Sequence, residues 1–505
     1  MLKNAIFMAM IVLCIAISAQ QLKEYKAESL SMKDCLLRAL KFNLDLEIEG
    51  YNPKIREFDI RLAKSVFDPA FTSSFGISEA ESESSADLKT VYNVRSVDFQ
   101  MGIAKKHLLG GTVGLSYGIG YSKQMHIGAG GRNPSWQHNV SLQFTQPLLR
   151  NLGIEVNQLE IQMAEKEKDQ AFYSFQNKVI TVLSDVQTAY WNLVNAIANY
   201  ELQRKSLELA ENLYKITLAR IKAGSLAAAD ILEAERNVAS KQDSLILAEK
   251  AIYDAEDRLK QLIHPLDLKY YQDVRMIPTE VYVFKKFDMD FESILKQAFL
   301  DRPDLLGNKL ALENTVLNIE KNKNQLLPKL DLSSELGYKG VGTASSEGWD
   351  KMKDGDMFSW SVQLSLEIPL GNRAASSRYM QSLLLRKQAI AQYKKLESLV
   401  ITELRSAIRE LSTTMQRVET AQRTRELAEK QLANEENKFR AGIIALFQVQ
   451  DTEQKLTVAR INESNALLDY QRAIVQLEKA KGTILKDMKR YGISLDAGIS
   501  EERTY

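Results

Sequence analysis

Cysteine is nearly missing from this chain, with two among 505 residues, Cys14 and Cys35. Cys14 lies in an apolar N-terminal run whose removal would leave Cys35 alone, so no internal disulfide framework is available. Histidine is almost as scarce. His107, His126, His138 and His264 are scattered through the chain, whereas a metal site needs three or four converging ligands; no metal is expected. An excess of one charge sign is also lacking. The 66 basic and 65 acidic side chains leave a formal charge of +1, which argues against a nucleic-acid partner, whose footprint is a basic excess. There is no glycine-rich phosphate loop followed by Lys-Ser or Lys-Thr and no His-Glu-x-x-His helix. Paired acids such as Glu435-Glu436 fall in long charged stretches where a solvated face explains them. The chain therefore reads as a non-enzyme without a cofactor.

Past the N-terminus, no stretch approaches the roughly 18 uninterrupted apolar residues of a membrane helix. The N-terminus itself runs from Lys3 through the apolar Ile6–Ile17 to the small residues Ser18 and Ala19. These are the basic, apolar and small-residue zones of a secretory signal, expected to occupy residues 1–19. Leu13 precedes Cys14 where a lipoprotein site would carry a small residue, so a lipid anchor is not expected. An exported chain with no helical span can cross a membrane only as a closed β-barrel, because only helices and closed barrels satisfy every backbone group in lipid.

What the chain does contain is an internal repeat. Leu36, Ala39, Leu40, Asn43-Leu44-Asp45-Leu46, Ile60 and Pro69 have counterparts 259 positions later in Leu295, Ala298, Phe299, Arg302-Pro303-Asp304-Leu305, Ile319 and Pro328. Arg220-Ile221-Lys222-Ala223-Gly224 matches Lys438-Phe439-Arg440-Ala441-Gly442 at a spacing of 218. About forty extra residues therefore lie between these anchors in the first copy, which makes the protein a diverged duplication.

Each copy runs in the same order. A helix over 31–67, and again over 291–327, ends at Pro69 or Pro328. The apolar period then drops to two, over about 70–146 and 330–368. Val97, Phe99, Met101 and Ile103 alternate with polar residues or glycine, as do Val113 to Tyr121, Val140 to Phe144, and Trp360 to Ile368. Such ten-residue alternation is the pattern of outer-membrane barrel strands, with a soluble sandwich sheet as the other reading. The segment Lys105–Thr112 reads as a hairpin turn, and the extra length of the first copy either adds strands or forms a surface or plugging hairpin.

After Pro147 and Pro369 the period becomes helical, over 158–222 and 376–440. Val182, Val186, Ala189, Leu193, Ala196 and Tyr200 step by threes and fours, as do Val400, Leu404, Ala407, Leu411, Thr414 and Val418. Steps averaging three and a half residues define a coiled-coil seam. Neither stretch contains proline or glycine, and at 1.5 Å per residue each reaches roughly 100 Å. Both end at a glycine, Gly224 and Gly442, and return helices are expected over 228–263 and 446–485. A linker over 264–290, with strand-like Val281–Phe284, joins the first repeat (20–263) to the second (291–485), and a tail covers 486–505. The fold class is thus mainly α with β, a duplicated helix–strands–long helix–helix unit.

The duplication, Arg302-Pro303-Asp304-Leu305, the proline-ended helices, Gln146-Pro147-Leu148-Leu149 and the glycine tips, in this order, resemble the TolC family of outer-membrane efflux proteins. The resemblance implies a trimeric outer-membrane β-barrel continuous with a long periplasmic α-helical coiled-coil barrel. It implies a passive duct gated at its periplasmic entrance and working in efflux or type I secretion. Its partners would be a periplasmic adaptor (membrane fusion) protein, an inner-membrane pump of the RND or ABC type, and outer-membrane lipid.

In that family, acid rings lie six and nine positions after the second tip glycine, which here are Gln448 and Asp451. One acid is kept and one has become an amide; three copies of Asp451 would form a negative ring that favours cations. Asp230 and Glu233, the first-copy counterparts, would join the gate network, or else simply cap their helix N-terminus against its macrodipole. The tyrosine and arginine common in the family network are Phe439 and Ile444 here. Gly224, Ser225 and Leu226, with Gly442, Ile443 and Ile444, resemble the family's adaptor-docking tips; ordinary turn chemistry is the other reading. The competing function is a structural or adhesive trimeric coiled-coil protein of the cell envelope, which would lack strands inserted between duplicated helices.

Overall fold

The computed structural model describes residues 26–83, 91–124, 134–223, 230–263, 271, 274–287, 289–355 and 357–486. The expected signal segment, Gly224, Ser225 and Leu226, and residues 487–505 of the expected tail lie outside the described residues. In chain order, the elements are β1 (Lys26–Leu30), α1 (Met32–Phe42), α2 (Leu44–Ser65), β2 (Ala70–Glu83), β3 (Val91–Lys106), β4 (Thr112–Gln124), β5 (Ser135–Pro147), α3 (Ile154–Lys222) and α4 (Asp230–Ile263). Then come β6 (Val274–Pro278), α5 (Phe291–Asp301), α6 (Pro303–Asn324), β7 (Lys329–Gly342), α7 (Ser345–Lys353), β8 (Met357–Glu367), α8 (Arg373–Arg440) and α9 (Leu446–Lys481).

Four features correct the sequence reading. The helix expected over 31–67 is two helices, α1 and α2, broken at Asn43, and that over 291–327 is α5 and α6, broken at Arg302. Both break residues are extended (φ −70°, ψ 122° and φ −72°, ψ 119°). Arg302 precedes Pro303, whose ring excludes the helical region for its predecessor. Asn43 has no such proline; its side chain instead accepts from the Leu46 N–H at 3.2 Å, starting α2 as a cap does. Second, the strand expected at Val281–Phe284 has no regular structure. The linker's strand is β6, paired in parallel with β1, Lys26 opposite Val274. Third, the return helix expected to reach 485 stops at Lys481, because Gly482 turns left-handed (φ 72°) and its neighbour Thr483 donates back to the Glu478 carbonyl at 3.1 Å. Fourth, the unforeseen α7 stands between β7 and β8.

Two compact units result, one of residues 53–172 and 307–395, the other comprising the remainder. In the first, six strands form one antiparallel sheet in the order β2-β3-β4-β5-β7-β8, so the first copy supplies four strands and the second two. The register puts Phe75, Phe99 and Ile119 in line, and likewise Leu142, Leu336 and Trp360. With side chains alternating across a strand, one face collects Phe71, Phe75, Ile103, Leu115, Leu142, Leu336, Trp360, Val362 and Leu364, all exposed. The opposite face carries Ser74, Gln100, Gly102, Ser116, Gln143, Glu335, Ser361 and Gln363. A water-soluble sheet buries its apolar face; this one displays it.

The second unit is helical. Its main core joins Cys35, Leu36 and Ala39 of α1 to Val179, Leu183, Val186, Tyr190 and Leu193 of α3, with Leu259 and Ile263 of α4 and Met276 of β6. These positions on α3 follow the three-four stepping of a coiled-coil seam. Each large apolar side chain fully buried there contributes about 1.5–3 kcal/mol. The Tyr190 hydroxyl pins the linker, donating to the Leu30 carbonyl at 3.2 Å and accepting from the Thr279 N–H at 3.1 Å.

Candidate functional site

The tip between α8 and α9 is built by one glycine. Gly442 adopts φ 79°, and the amides of Gly442 and Ile443 donate back to the carbonyls of Phe439 and Lys438, each at 2.9 Å. This paired pattern ends α8 while satisfying its last carbonyls. α9 then starts at Leu446, whose buried side chain packs with Leu213, Ala234, Leu432, Phe439, Val449 and Leu456. Arg220, near the end of α3, closes the arrangement. Its guanidinium lies 4.4 Å from the centre of the Phe439 ring and donates to the carbonyls of Phe439 and Arg440, each at 3.2 Å.

Along the first turns of α9 the two faces differ sharply. Gln448 and Asp451 are exposed, while Val449, Gln450, Thr452 and Glu453 are buried. The Asp451 carboxylate accepts from Lys455 one turn on, at 2.6 Å, so a cation accompanies the acid on the same exposed face. On the buried face, Glu453 pairs with Lys241 of α4 at 3.0 Å, their side chains only 3% and 5% exposed. Ser206 of α3 and Thr457 donate to the same carboxylate at 2.6 and 2.8 Å, and Lys241 also donates to Gln454 at 2.6 Å. A buried charge pair holds only when its remaining lone pairs and protons are bonded, and three helices contribute to that here.

The structure sorts the residues singled out from sequence. Gln448 and Asp451 share one exposed face, with Gly442 and Ile443 at the adjoining tip, Ile443 being 72% exposed. Ile444 departs from expectation: it is half-buried, packed against the Phe439–Leu446 cluster rather than offered to solvent. Glu233, in the first turn of α4, pairs with Arg236 at 2.7 Å. Asp230 opens α4, with its side chain outside the described residues. Sequence reasoning missed the Lys241–Glu453 pair, the Arg220 clasp, and two exposed apolar residues near the tips, Leu232 and Phe447. The conspicuous signal was Glu453, a charged residue falling among the apolar positions Val449 and Leu456 of a coiled-coil seam. Among the described residues, no group of three or more His, Cys, Asp or Glu side chains could hold a metal.

Comparison with known proteins gives these features a setting. The family model described as outer membrane efflux protein matches residues 77–263 and 294–483. Outer membrane protein TolC of Vibrio cholerae is 21% identical over 335 residues, covering 65% of this chain and 73% of that protein. Outer membrane efflux protein BepC of Brucella suis is 21% identical over 466 residues, covering 92% of this chain and 85% of that protein. The crystal structure of the Campylobacter jejuni CmeC outer membrane channel superposes with a TM-score of 0.67 at 18% identity, over 89% of this chain and 85% of that one.

Proposed function

Because the chain belongs to the outer membrane efflux protein family, a family of outer-membrane channels rather than enzymes, we propose that three copies join into one closed barrel and one helical duct. The carrying observation is a six-stranded sheet with an exposed apolar face and two open edges, β2 and β8. In lipid an open edge leaves its backbone groups unsatisfied. Six strands closed alone would form a barrel narrower than the eight-stranded ones whose interiors are filled by side chains; three such sheets reach the strand number of porins, about 16–18, which hold water. The apolar face has membrane dimensions. On β3 it is bounded by Arg95 and Lys105, ten residues apart, or roughly 33 Å along the strand; with a tilt near 40° that gives the roughly 25 Å apolar band of outer-membrane barrels.

The helices support the same assembly. Ile48, Tyr51, Ile55, Phe58 and Leu62 of α2 step by threes and fours and are all exposed, which is a coiled-coil seam awaiting a neighbouring helix. In the proposed trimer, the exposed α9 face brings Gln448 and Asp451 of each copy toward a periplasmic entrance. An adaptor docks at the tips through Ile443, joined here by Leu232 and Phe447, with Gly224, Ser225 and Leu226 on the other tip. An inner-membrane pump drives substrate through, and the chain itself conducts passively.

Single-channel recording in planar bilayers tests this reading. Wild type should show small, cation-selective currents, Asp451→Ala should lower the selectivity, and Lys455→Ala should raise it by removing the accompanying cation. Currents indifferent to both substitutions move the constriction away from α9. A purified protein that stays monomeric and inserts in no membrane overturns the proposal.

A further inference from the structure

The helix α7 links β7 to β8 at the sheet end away from α6 and α8, where a hairpin could have closed with a short turn. Instead it lies back on the apolar face. Its Ser345 hydroxyl sits 3.1 Å from Nε2 of His138, whose Nδ1 is 2.8 Å from the Tyr117 hydroxyl. Trp349 meets both the Tyr117 and His138 rings edge-on, with centroids 5.9 Å apart in each case. Tyr117, His138, Gly340 and Gly342 all belong to the apolar face by register. The two glycines make the seat. A side chain at Gly340 would collide with the Gly348 carbonyl and the Met352 amide, and one at Gly342 would meet the Gly348 nitrogen at 2.6 Å.

We infer that α7 is an interfacial helix that seats the barrel against the lipid headgroups of the outer leaflet. The inference rests on the barrel reading and adds a contact to it. Four observations converge. α7 covers the inner strands β5 and β7, one strand in from the edge β8 where copies would join. From Leu330 to Gly340 the apolar face of β7 spans ten residues, again about 25 Å of tilted strand, so α7, seated on Gly340 and Gly342, lies over the outer end of the apolar band. On the neighbouring β3 and β4, the apolar face gives way at the same end to Arg95 and Lys123, the residues next beyond Val97 and Tyr121 on that face.

Finally, the helix is two-sided. Gly348 and Met352 are buried against the sheet, while Ser346, Asp350 and Lys353 are exposed and Trp349 is half-exposed along the flank. The pairs Tyr121–Trp136 (4.8 Å) and Tyr338–Phe358 (5.1 Å) surround it with aromatics. Amphipathic rings collect at the water–lipid boundary, and lysine stems reach from it to headgroups. Lipid, rather than a protein partner, fits a helix that is flush with a lipid-facing surface.

The test is depth-resolved fluorescence quenching of the full chain in vesicles whose lipids carry bromine near the headgroup or near the chain end. Two variants are compared, each keeping one reporter, Trp349 or Trp360, with the other tryptophans changed to Phe. Trp349 should be quenched more by shallow bromine than by deep, and Trp360, within the band, should shift toward deep bromine. Quenching of Trp360 with none at Trp349, or deepest quenching at Trp349, overturns the inference while keeping the barrel. No quenching at either reporter in a folded protein overturns both.

Discussion

Lys241 and Glu453 form an ion pair of 3.0 Å sealed between α4 and α9, two residues along from the exposed Asp451. The pair joins the return helices of the two repeats, with Ser206 of α3 completing the carboxylate's bonds. Removing one partner leaves an uncompensated charge in the core, a loss of about 3–5 kcal/mol. Glu453→Ala should therefore lower the thermal unfolding midpoint clearly, whereas Lys241→Met with Glu453→Leu should restore most of the loss. A single substitution without effect on the midpoint would show that water already reaches the pair.

Arg220 acts at the very end of the same bundle. Its guanidinium over Phe439 and its two bonds to α8 carbonyls combine a cation–π contact of about 0.5–1 kcal/mol with charge-assisted hydrogen bonds of about 1.5–3 kcal/mol. Arg220→Ala should leave global unfolding little changed but speed amide exchange in residues 437–443. Arg220→Lys should recover part of the protection, since it keeps the charge and loses the planar fork. Unchanged exchange in the Ala variant would show that the Gly442 turn holds the tip unaided.

How much of this was legible in the chain follows from how local each cause is. The glycine stop at 442 and the seam on α3 depend on neighbours in sequence, and both could be read. The break at Arg302 was equally local, since Pro303 forbids a helical predecessor, yet the helical period on either side masked it. Asn43 makes the same break through a side chain that reaches Leu262 across the fold, donating to its carbonyl at 3.0 Å, which no local pattern reveals. α7 was hidden because nine residues, four of them charged after a Ser-Ser start, carry too little periodicity. Its real signal lies elsewhere, in Gly340 and Gly342, which leave room on a strand for a helix to land. Ile444 looked exposed because it follows a tip; its burial comes from residues of α3 and α8 more than a turn away.

Cys35 gives a third prediction. Its thiol is fully buried beside Leu36 and Ala39, and desolvation pushes its pKa up to about 12, with Arg38 opposing. The thiolate is the nucleophile, so native protein at pH 8 should resist maleimide over the time in which urea-unfolded protein reacts fully. Rapid labelling of the native protein would place α1 outside the core described here.

The last prediction concerns acid. Glu429 of α8 accepts from Arg460 of α9 and from Arg425, each at 2.9 Å. The Arg460 hydrogen bond chiefly, with the Arg425 charge behind it and burial opposing, holds the Glu429 carboxyl below its usual value. A folded-state pKa lowered in this way contributes stability above the unfolded carboxylate value, and that contribution fades as pH falls through the folded one. About a third of each Glu429 and Arg460 side chain remains exposed, so solvent screens the pair and the effect is modest. Thermal midpoints measured between neutral pH and pH 3 should therefore fall less steeply for Glu429→Gln than for wild type, from a slightly lower neutral starting point. Parallel curves for the two proteins would mean that Arg460 and Arg425 stabilise α8 against α9 through their stems rather than through their charge.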